Sequence, residues 1–193
     1  MNKKIWLSSP HMGGHEMKYI QQAIDSNWIA PLGPNVDNFE NAIENYLKED
    51  VHVACLASGT SALHLALVMA GVGEDDEVIC QSFTFTASAN PIRYQGAKPI
   101  FIESEIATWN MCPVSLEEAL KDRISKGIKP KAIIVVHLYG MPAKIDLIAA
   151  IASKYNIILI EDAAEALGST YKGQKCGTFG DFGVLSFNGN KII

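Results

Sequence analysis

The sequence predicts an α/β domain, a mostly parallel central sheet with helices on both faces. Three observations carry that prediction. Short apolar runs rich in β-branched residues recur along the chain, and amphipathic segments of helical length lie between them. Such alternation means strand–helix–strand crossovers rather than hairpins. With 193 residues, 48% of them apolar and 19% charged, the chain can also bury a core as one large domain.

The elements follow in order. "HEMKYIQQAIDS" (15–26) and "NVDNFENAIENYL" (35–47) read as amphipathic helices around an irregular "NWIAPLGP". Residues 1–50 are therefore expected to form an N-terminal arm packed beside the sheet domain of residues 51–193. "VHVACLAS" (51–58) reads as a buried strand, and "GTSALHLALVMAG" (59–71) as a helix closed by glycine. Further strands are expected at "EVIC" (77–80), "KPIFI" (98–102), "KAIIVV" (131–136), "NIILI" (156–160) and "GVLSF" (183–187), with helices at 84–94, 115–126 and 143–154.

Composition excludes several function classes. A net charge of −5 and a pI near 5.5 give no electrostatic footprint for nucleic acid. No apolar stretch reaches membrane-spanning length. "MNKKIWLSS" has two lysines but no long apolar core behind them, so it is not expected to act as a signal peptide. Cys55, Cys80, Cys112 and Cys176 are far apart without a C-x-x-C pair, which reads as reduced packing residues of a cytosolic protein. His11 and His15 flank glycines and resemble a metal pair only superficially; a flexible loop is the better reading, and no metal site is expected.

In parallel sheets ligands gather at the carboxyl ends of the strands. Ser58-Gly59-Thr60-Ser61 opens a helix there, and its N–H groups and hydroxyls suit a phosphate, although Ser58 could simply cap the helix. Phe83 and Phe85 could stack on a planar ring or pack in the core. Asp162 lies just beyond a run of four apolar residues, so its carboxylate is expected at the sheet's edge, partly desolvated and in need of a donor; alternatively it caps a helix over "AAEAL", with Glu165 placed as in a capping box. Lys191 alone is an ordinary surface cation. Together, a phosphate site, an aromatic plate, a carboxylate for a protonated ring nitrogen and a lysine amine describe pyridoxal phosphate. The lysine forms an imine with the aldehyde and then carries a proton.

The motifs "SPHMGGHEMKYI", "NWIAPLGPNVDNFE", "SGTSALHLAL", "SFTFTASANPI", "VVHLYGMPAKID", "IEDAAEALGS" and "GTFGDFGVLSFNGNKII", in this order, resemble the DegT/DnrJ/StrS class of nucleotide-sugar aminotransferases. Within that class the match is nearest to transaminases making UDP-4-amino-4,6-dideoxy-N-acetylglucosamine in bacillosamine-type pathways. The resemblance implies the large domain of the fold-type I pyridoxal phosphate enzymes, with the family's C-terminal small domain, roughly half of its usual chain, lying beyond Ile193. It implies Lys191 as the imine lysine and Asp162 as partner of the pyridine nitrogen. Gly59, Thr60 and Ser186 would hold the phosphate, and Phe85 would lie against the ring. Glu165 stands where relatives often have His or Gln near the ring hydroxyl. Asn27, Trp28, Ile29 and Ala30 match the arm that meets the nucleotide sugar, whereas Phe187 and Asn188 replace a His or Tyr of many members. The implied reaction moves an amino group from glutamate to the 4-keto carbon of a UDP-linked deoxy-N-acetylhexosamine, in a cytoplasmic homodimer. Two other readings are a sugar dehydratase, whose members replace the lysine by His, and a non-catalytic remnant or interaction module of the same fold. Residues 183–193 are expected to bring Lys191 close to Asp162 and to residues 58–60.

Overall fold

A strand such as Ala132–Val136 is apolar on both sides, so it is stable only with helices above and below it. The computed structural model describes Lys4, residues 9–48 and residues 50–192. Contacts divide these into two units. One contains residues up to Leu56 with Asn188–Lys191, and the other contains Ala57–Phe187 with Ile192. No helix among the described residues is long and apolar enough to cross a membrane.

In the first unit, α1 (Glu16–Asp25) and α2 (Pro34–Leu47) match the two predicted amphipathic segments. Helix α1 ends in a Schellman motif: the N–H of Asn27 donates to the Ile24 carbonyl (3.0 Å) and that of Trp28 to the Ala23 carbonyl (2.9 Å). Asn27 takes the left-handed conformation this motif requires, at φ 59°. Gly33 caps α2 ahead of Pro34, and the Trp28 indole lies so near that a Cβ on Gly33 would sit 2.6 Å from it.

The strand expected at 51–58 is absent. Residues 51–56 pair with no strand, and residues 54–58 are exposed rather than buried. The cause is a pair of glutamates one turn apart on α2. Glu44 Oε1 accepts the Val53 N–H (2.9 Å) and Glu40 Oε1 accepts the Cys55 N–H (2.7 Å), which occupies alternate backbone donors without a ladder. Cys55 is accordingly exposed and not a packing residue, whereas Cys80 and Cys176 are buried and burial pushes both thiols up to about 12.

The second unit opens with α3 (Gly59–Met69), which closes in a Schellman motif at Gly71. There follow β1 (Glu77–Gln81), α4 (Asn90–Tyr94), β2 (Lys98–Ile102), α5 (Pro113–Ser125), β3 (Ala132–Val136), α6 (Ile145–Tyr155) and β4 (Ile158–Asp162). A short hairpin of β5 (Thr170–Tyr171) and β6 (Gln174–Lys175) precedes β7 (Phe182–Val184). The main sheet has the order β2-β1-β3-β4-β7, and every neighbouring pair in it is parallel. The helix expected at 84–94 is split into a 3-10 turn (Thr86–Ser88) and α4, because Pro91 lacks an N–H and fits only a first helical turn.

Strand alternation builds two cores. Val78, Cys80, Ile134 and Ile160 meet Leu63, Leu67 and Ile92 from α3 and α4. Ile79, Ile133, Val135 and Leu159 meet Leu116, Leu120, Ile145 and Ile148 from α5 and α6. Each such fully buried aliphatic side chain contributes about 1.5–3 kcal/mol. Buried Glu77 at the start of β1 is neutralised by a two-pronged bond from Arg123, Nε to Oε2 at 2.8 Å and Nη2 to Oε1 at 2.5 Å.

The strand expected at 183–187 covers only Phe182–Val184. A glycine-rich stretch instead presses against β4: a Cβ on Gly180 would lie 2.5 Å from the Leu159 carbonyl oxygen, and one on Gly183 only 2.0 Å from that of Gly177. Asp181 adds a ladder-like pair, its N–H donating to the Leu159 carbonyl and its Oδ2 accepting the Leu159 N–H, both at 2.8 Å.

Beyond β2, Glu105 gathers a loop. It accepts the N–H groups of Ala107 (3.0 Å) and Thr108 (2.7 Å), the Thr108 hydroxyl and Lys144 Nζ (2.7 Å). The Lys144 ammonium, with Thr108 behind it, holds the Glu105 carboxyl down to about 2 from an ordinary 4.5. Because this folded-state value is depressed, the stabilisation is complete above the unfolded value and is lost as pH falls towards the folded one. Glu105→Gln should therefore melt below the wild type at neutral pH, and the gap should narrow from about pH 5 and close only near pH 2 in thermal scans.

Candidate active site

Period-two geometry sends the last two residues of β4 to opposite faces. Asp162 points to the α3–α4 side and is 5% exposed. Its Oδ2 accepts the Ser88 hydroxyl at 2.6 Å and its Oδ1 accepts the Ala164 N–H at 3.3 Å. Residues 163–169 contain turns and no helix, so the capping alternative for Asp162 falls, and with it the capping-box position of Glu165. Ser88 is itself fully buried and bonded to the Thr84 hydroxyl at 2.8 Å. Nothing in "TASAN" distinguishes that serine from a loop polar residue.

At the start of α3 the capping reading of Ser58 holds. Ser58 Oγ accepts the Ser61 N–H at 3.1 Å, as an N-cap does. The first intrahelical bond runs from the Ala62 N–H to the Ser58 carbonyl at 3.0 Å, so helix geometry leaves the earlier N–H groups of Gly59 and Thr60 directed out of the helix end. Ser186 adjoins them: a Cβ on Gly59 would lie 3.4 Å from the Ser186 Cβ and 3.6 Å from its Oγ. Gly59, Thr60 and Ser186 are thus brought together as two backbone donors with hydroxyls, a set that suits an anion.

Phe83 and Phe85 are not core residues. Phe85 is 77% exposed, while Phe83 is 48% exposed and meets the edge of Trp109 at 5.8 Å. The turn carrying them is held from its other side, where Ser88 bonds Asp162 and Gln81 Nε2 donates to the Phe83 carbonyl (2.8 Å). Both rings are left outside.

Glu165 accepts the Tyr139 N–H on Oε2 at 3.0 Å. Tyr139 has a left-handed φ of 52°, and at Gly140 a Cβ would come 2.8 Å from the Glu165 carbonyl oxygen. The Ser169 hydroxyl donates to the Gly140 carbonyl at 2.6 Å. Glu165 therefore supports the loop that follows β3.

On the opposite face Glu161 is fully buried and accepts backbone N–H groups from Gly177 (2.9 Å), Phe179 (2.5 Å) and Gly180 (2.7 Å). It also meets His137 Nε2 at 2.8 Å. The Ala143 N–H donates to His137 Nδ1 at 3.0 Å, so the ring proton resides on Nε2 and points at Glu161. Buried Asn110 completes the scaffold, accepting the Leu138 N–H and donating to the Met141 carbonyl, each at 2.9 Å. Sequence reading missed Glu161, His137 and Asn110. The adjacent Glu-Asp pair at the end of an apolar strand was the available signal, since alternation requires each to be satisfied separately.

Lys191 and residues 27–30 belong to the first unit. The Lys191 N–H closes a turn on the Asn188 carbonyl at 2.7 Å. Trp28 and Ile29 are 51% and 75% exposed, and Ala30 is also exposed.

Residues 10–193 match the DegT/DnrJ/EryC1/StrS aminotransferase family. EpsN of Bacillus subtilis, which carries the name of a pyridoxal phosphate-dependent aminotransferase, is 56% identical over all of this chain and 50% of its own length. GDP-perosamine synthase of Escherichia coli O157:H7 is 42% identical, over 99% of this chain and 50% of its own. Among solved structures, Spr1654 from Streptococcus pneumoniae, named as a sugar aminotransferase and solved in its PLP form, superposes with a TM-score of 0.88 at 32% identity, over 98% of this chain and 50% of that one. The same protein is also solved in apo and PMP forms. The chain thus spans about half the length of the relatives it matches.

The support given by Glu165 can be measured. Glu165→Ala should speed amide exchange at Tyr139 about five- to tenfold, as loss of one hydrogen bond does. Glu165→Gln keeps an acceptor and should leave the rate near that of the wild type.

Proposed function

This chain belongs to the DegT/DnrJ/EryC1/StrS aminotransferase family, and from that premise we propose that it forms the cofactor-binding part of a pyridoxal phosphate-dependent sugar aminotransferase. The observation that carries this reading lies within the second unit. A buried carboxylate, Asp162, and an anion-suited group, Gly59, Thr60 and Ser186, stand at the carboxyl ends of a parallel sheet.

The donor set fits the cofactor. The N–H groups of Gly59 and Thr60 and the Ser186 hydroxyl would hold its phosphate, with the start of α3 favouring the negative charge. Asp162 would keep a proton on the pyridine nitrogen, since a carboxylate beside the ring favours the charged form. Phe85 would lie against the ring. Bound pyridoxal phosphate supplies an aldehyde that captures amines and a protonated ring that accepts electron density. Lys191 would hold that aldehyde covalently and then carry the proton on Nζ between donor, acceptor and cofactor. Glu165, assigned from the resemblance to the ring hydroxyl, would act through the Tyr139 loop it supports.

The acceptor we propose is the 4-keto carbon of a UDP-linked deoxy-N-acetylhexosamine, with glutamate as amino donor and residues 27–30 meeting the nucleotide sugar. The name GDP-perosamine synthase supports a nucleotide-linked amino sugar as the product class. We place the enzyme in the cytoplasm as a homodimer, in which a partner subunit would complete the sugar site.

Incubating the chain with pyridoxal phosphate, reducing with borohydride and mapping the labelled peptide should place the adduct on Lys191. An adduct on Lys144 or Lys175 would reject that assignment. A chain extended to the relatives' full length should then aminate UDP-linked 4-keto sugar from glutamate; amination of only the GDP-linked sugar would reject the nucleotide.

A further inference from the structure

We propose that Ser88 is a positioning residue for the Asp162 carboxylate, and that its hydroxyl simultaneously docks the turn bearing Phe85. The inference rests on the cofactor reading above and extends it to Thr84 and Ser88, to which the sequence motifs assign no role.

Ser88 and Asp162 are 74 positions apart, yet their side chains meet at 2.6 Å, with both residues buried. A carboxylate only accepts, so the single Ser88 proton goes to Asp162 Oδ2. The Thr84 hydroxyl, 2.8 Å from Ser88 Oγ, must then donate its own proton to Ser88. The result is a directed relay, Thr84 to Ser88 to Asp162, and each link polarises the next. One carboxylate oxygen is fixed by a charge-assisted bond between two buried side chains.

The same serine organises the turn. Its N–H donates to the Phe85 carbonyl at 3.1 Å, and the turn Thr86–Ser88 follows Phe85 directly. Anchoring Ser88 on β4 therefore sets where Phe85 emerges, at 77% exposure, relative to Asp162. The group that would face the ring nitrogen and the group that would face the ring plane share one hydroxyl as their common reference.

The test separates a role at the ring nitrogen from simple folding. Pyridoxal phosphate and its analogue with CH in place of the ring nitrogen are titrated into the wild type, Ser88→Ala, Ser88→Thr, Thr84→Val and Asp162→Asn. The wild type should prefer pyridoxal phosphate, and Asp162→Asn should lose that preference. Ser88→Ala should lose roughly tenfold in pyridoxal phosphate affinity, as expected for one charged hydrogen bond, with a distinctly smaller loss for the analogue, which feels only the loosened Phe85 turn. Thr84→Val should lose less, and Ser88→Thr, which keeps the hydroxyl, should retain the preference. If Ser88→Ala weakens both ligands equally, or neither, while Asp162→Asn abolishes the preference, Ser88 is structural only and the proposal is wrong. If Asp162→Asn leaves the preference intact, the cofactor reading itself fails and the proposal falls with it.

Discussion

Two adjacent carboxylates are buried at the end of β4, and a buried charge is tolerated only when hydrogen-bond donors surround it. Strand alternation denies Glu161 and Asp162 a common set of partners. Each must recruit donors on its own face, and most of the polar architecture of the second unit follows from that requirement. Glu161 takes three backbone N–H groups from the glycine-rich stretch before β7, together with the His137 ring. Asp162 takes the Ser88 hydroxyl and, through it, the turn before α4.

The two faces consequently have different characters. The Glu161 side is a closed scaffold: His137, Asn110, Glu165 and Ser169 fix the chain from residue 137 to 143, including left-handed Tyr139 and the close approach of Gly140. Satisfied networks of this kind hold one conformation, because any partial loss strands a buried group. The Asp162 side is open at its rim. Exposed Phe85, the outward N–H groups of α3 and the Ser186 hydroxyl are the groups on which the proposed cofactor site rests. Rigidity behind the sheet and open donors in front of it are what a cofactor-positioning site requires.

Much of this was legible in the sequence where the signal was local. Continuous apolar runs gave the strands at 77–81 and 132–136 almost to the residue, because burial on both faces leaves little polar break, and the partly exposed edge strand at 98–102 was readable from a similar run. The Ser-Gly-Thr helix start and Asp162 at the end of an apolar run were readable because their signals are equally local. Features set by distant partners were not. "VHVACLAS" has the composition of a strand, but its backbone donors are taken by Glu40 and Glu44 of α2, which no local pattern reveals. Phe83 and Phe85 have the spacing of core residues, yet the Ser88 anchor turns them outward. Ser88, His137 and Asn110 matter through contacts with residues far along the chain, and single-residue chemistry gives no hint of them.

The central claim is that Asp162, oriented from behind by Ser88, meets a ring nitrogen while the start of α3 holds a phosphate. A crystal structure of the chain soaked with pyridoxal phosphate tests it most directly. The account predicts the pyridine nitrogen within about 3 Å of an Asp162 carboxylate oxygen, a normal hydrogen-bond distance, with the Ser88 bond intact and the phosphate on the Gly59 and Thr60 N–H groups. A phosphate bound elsewhere, or a ring whose nitrogen faces away from Asp162, would contradict it.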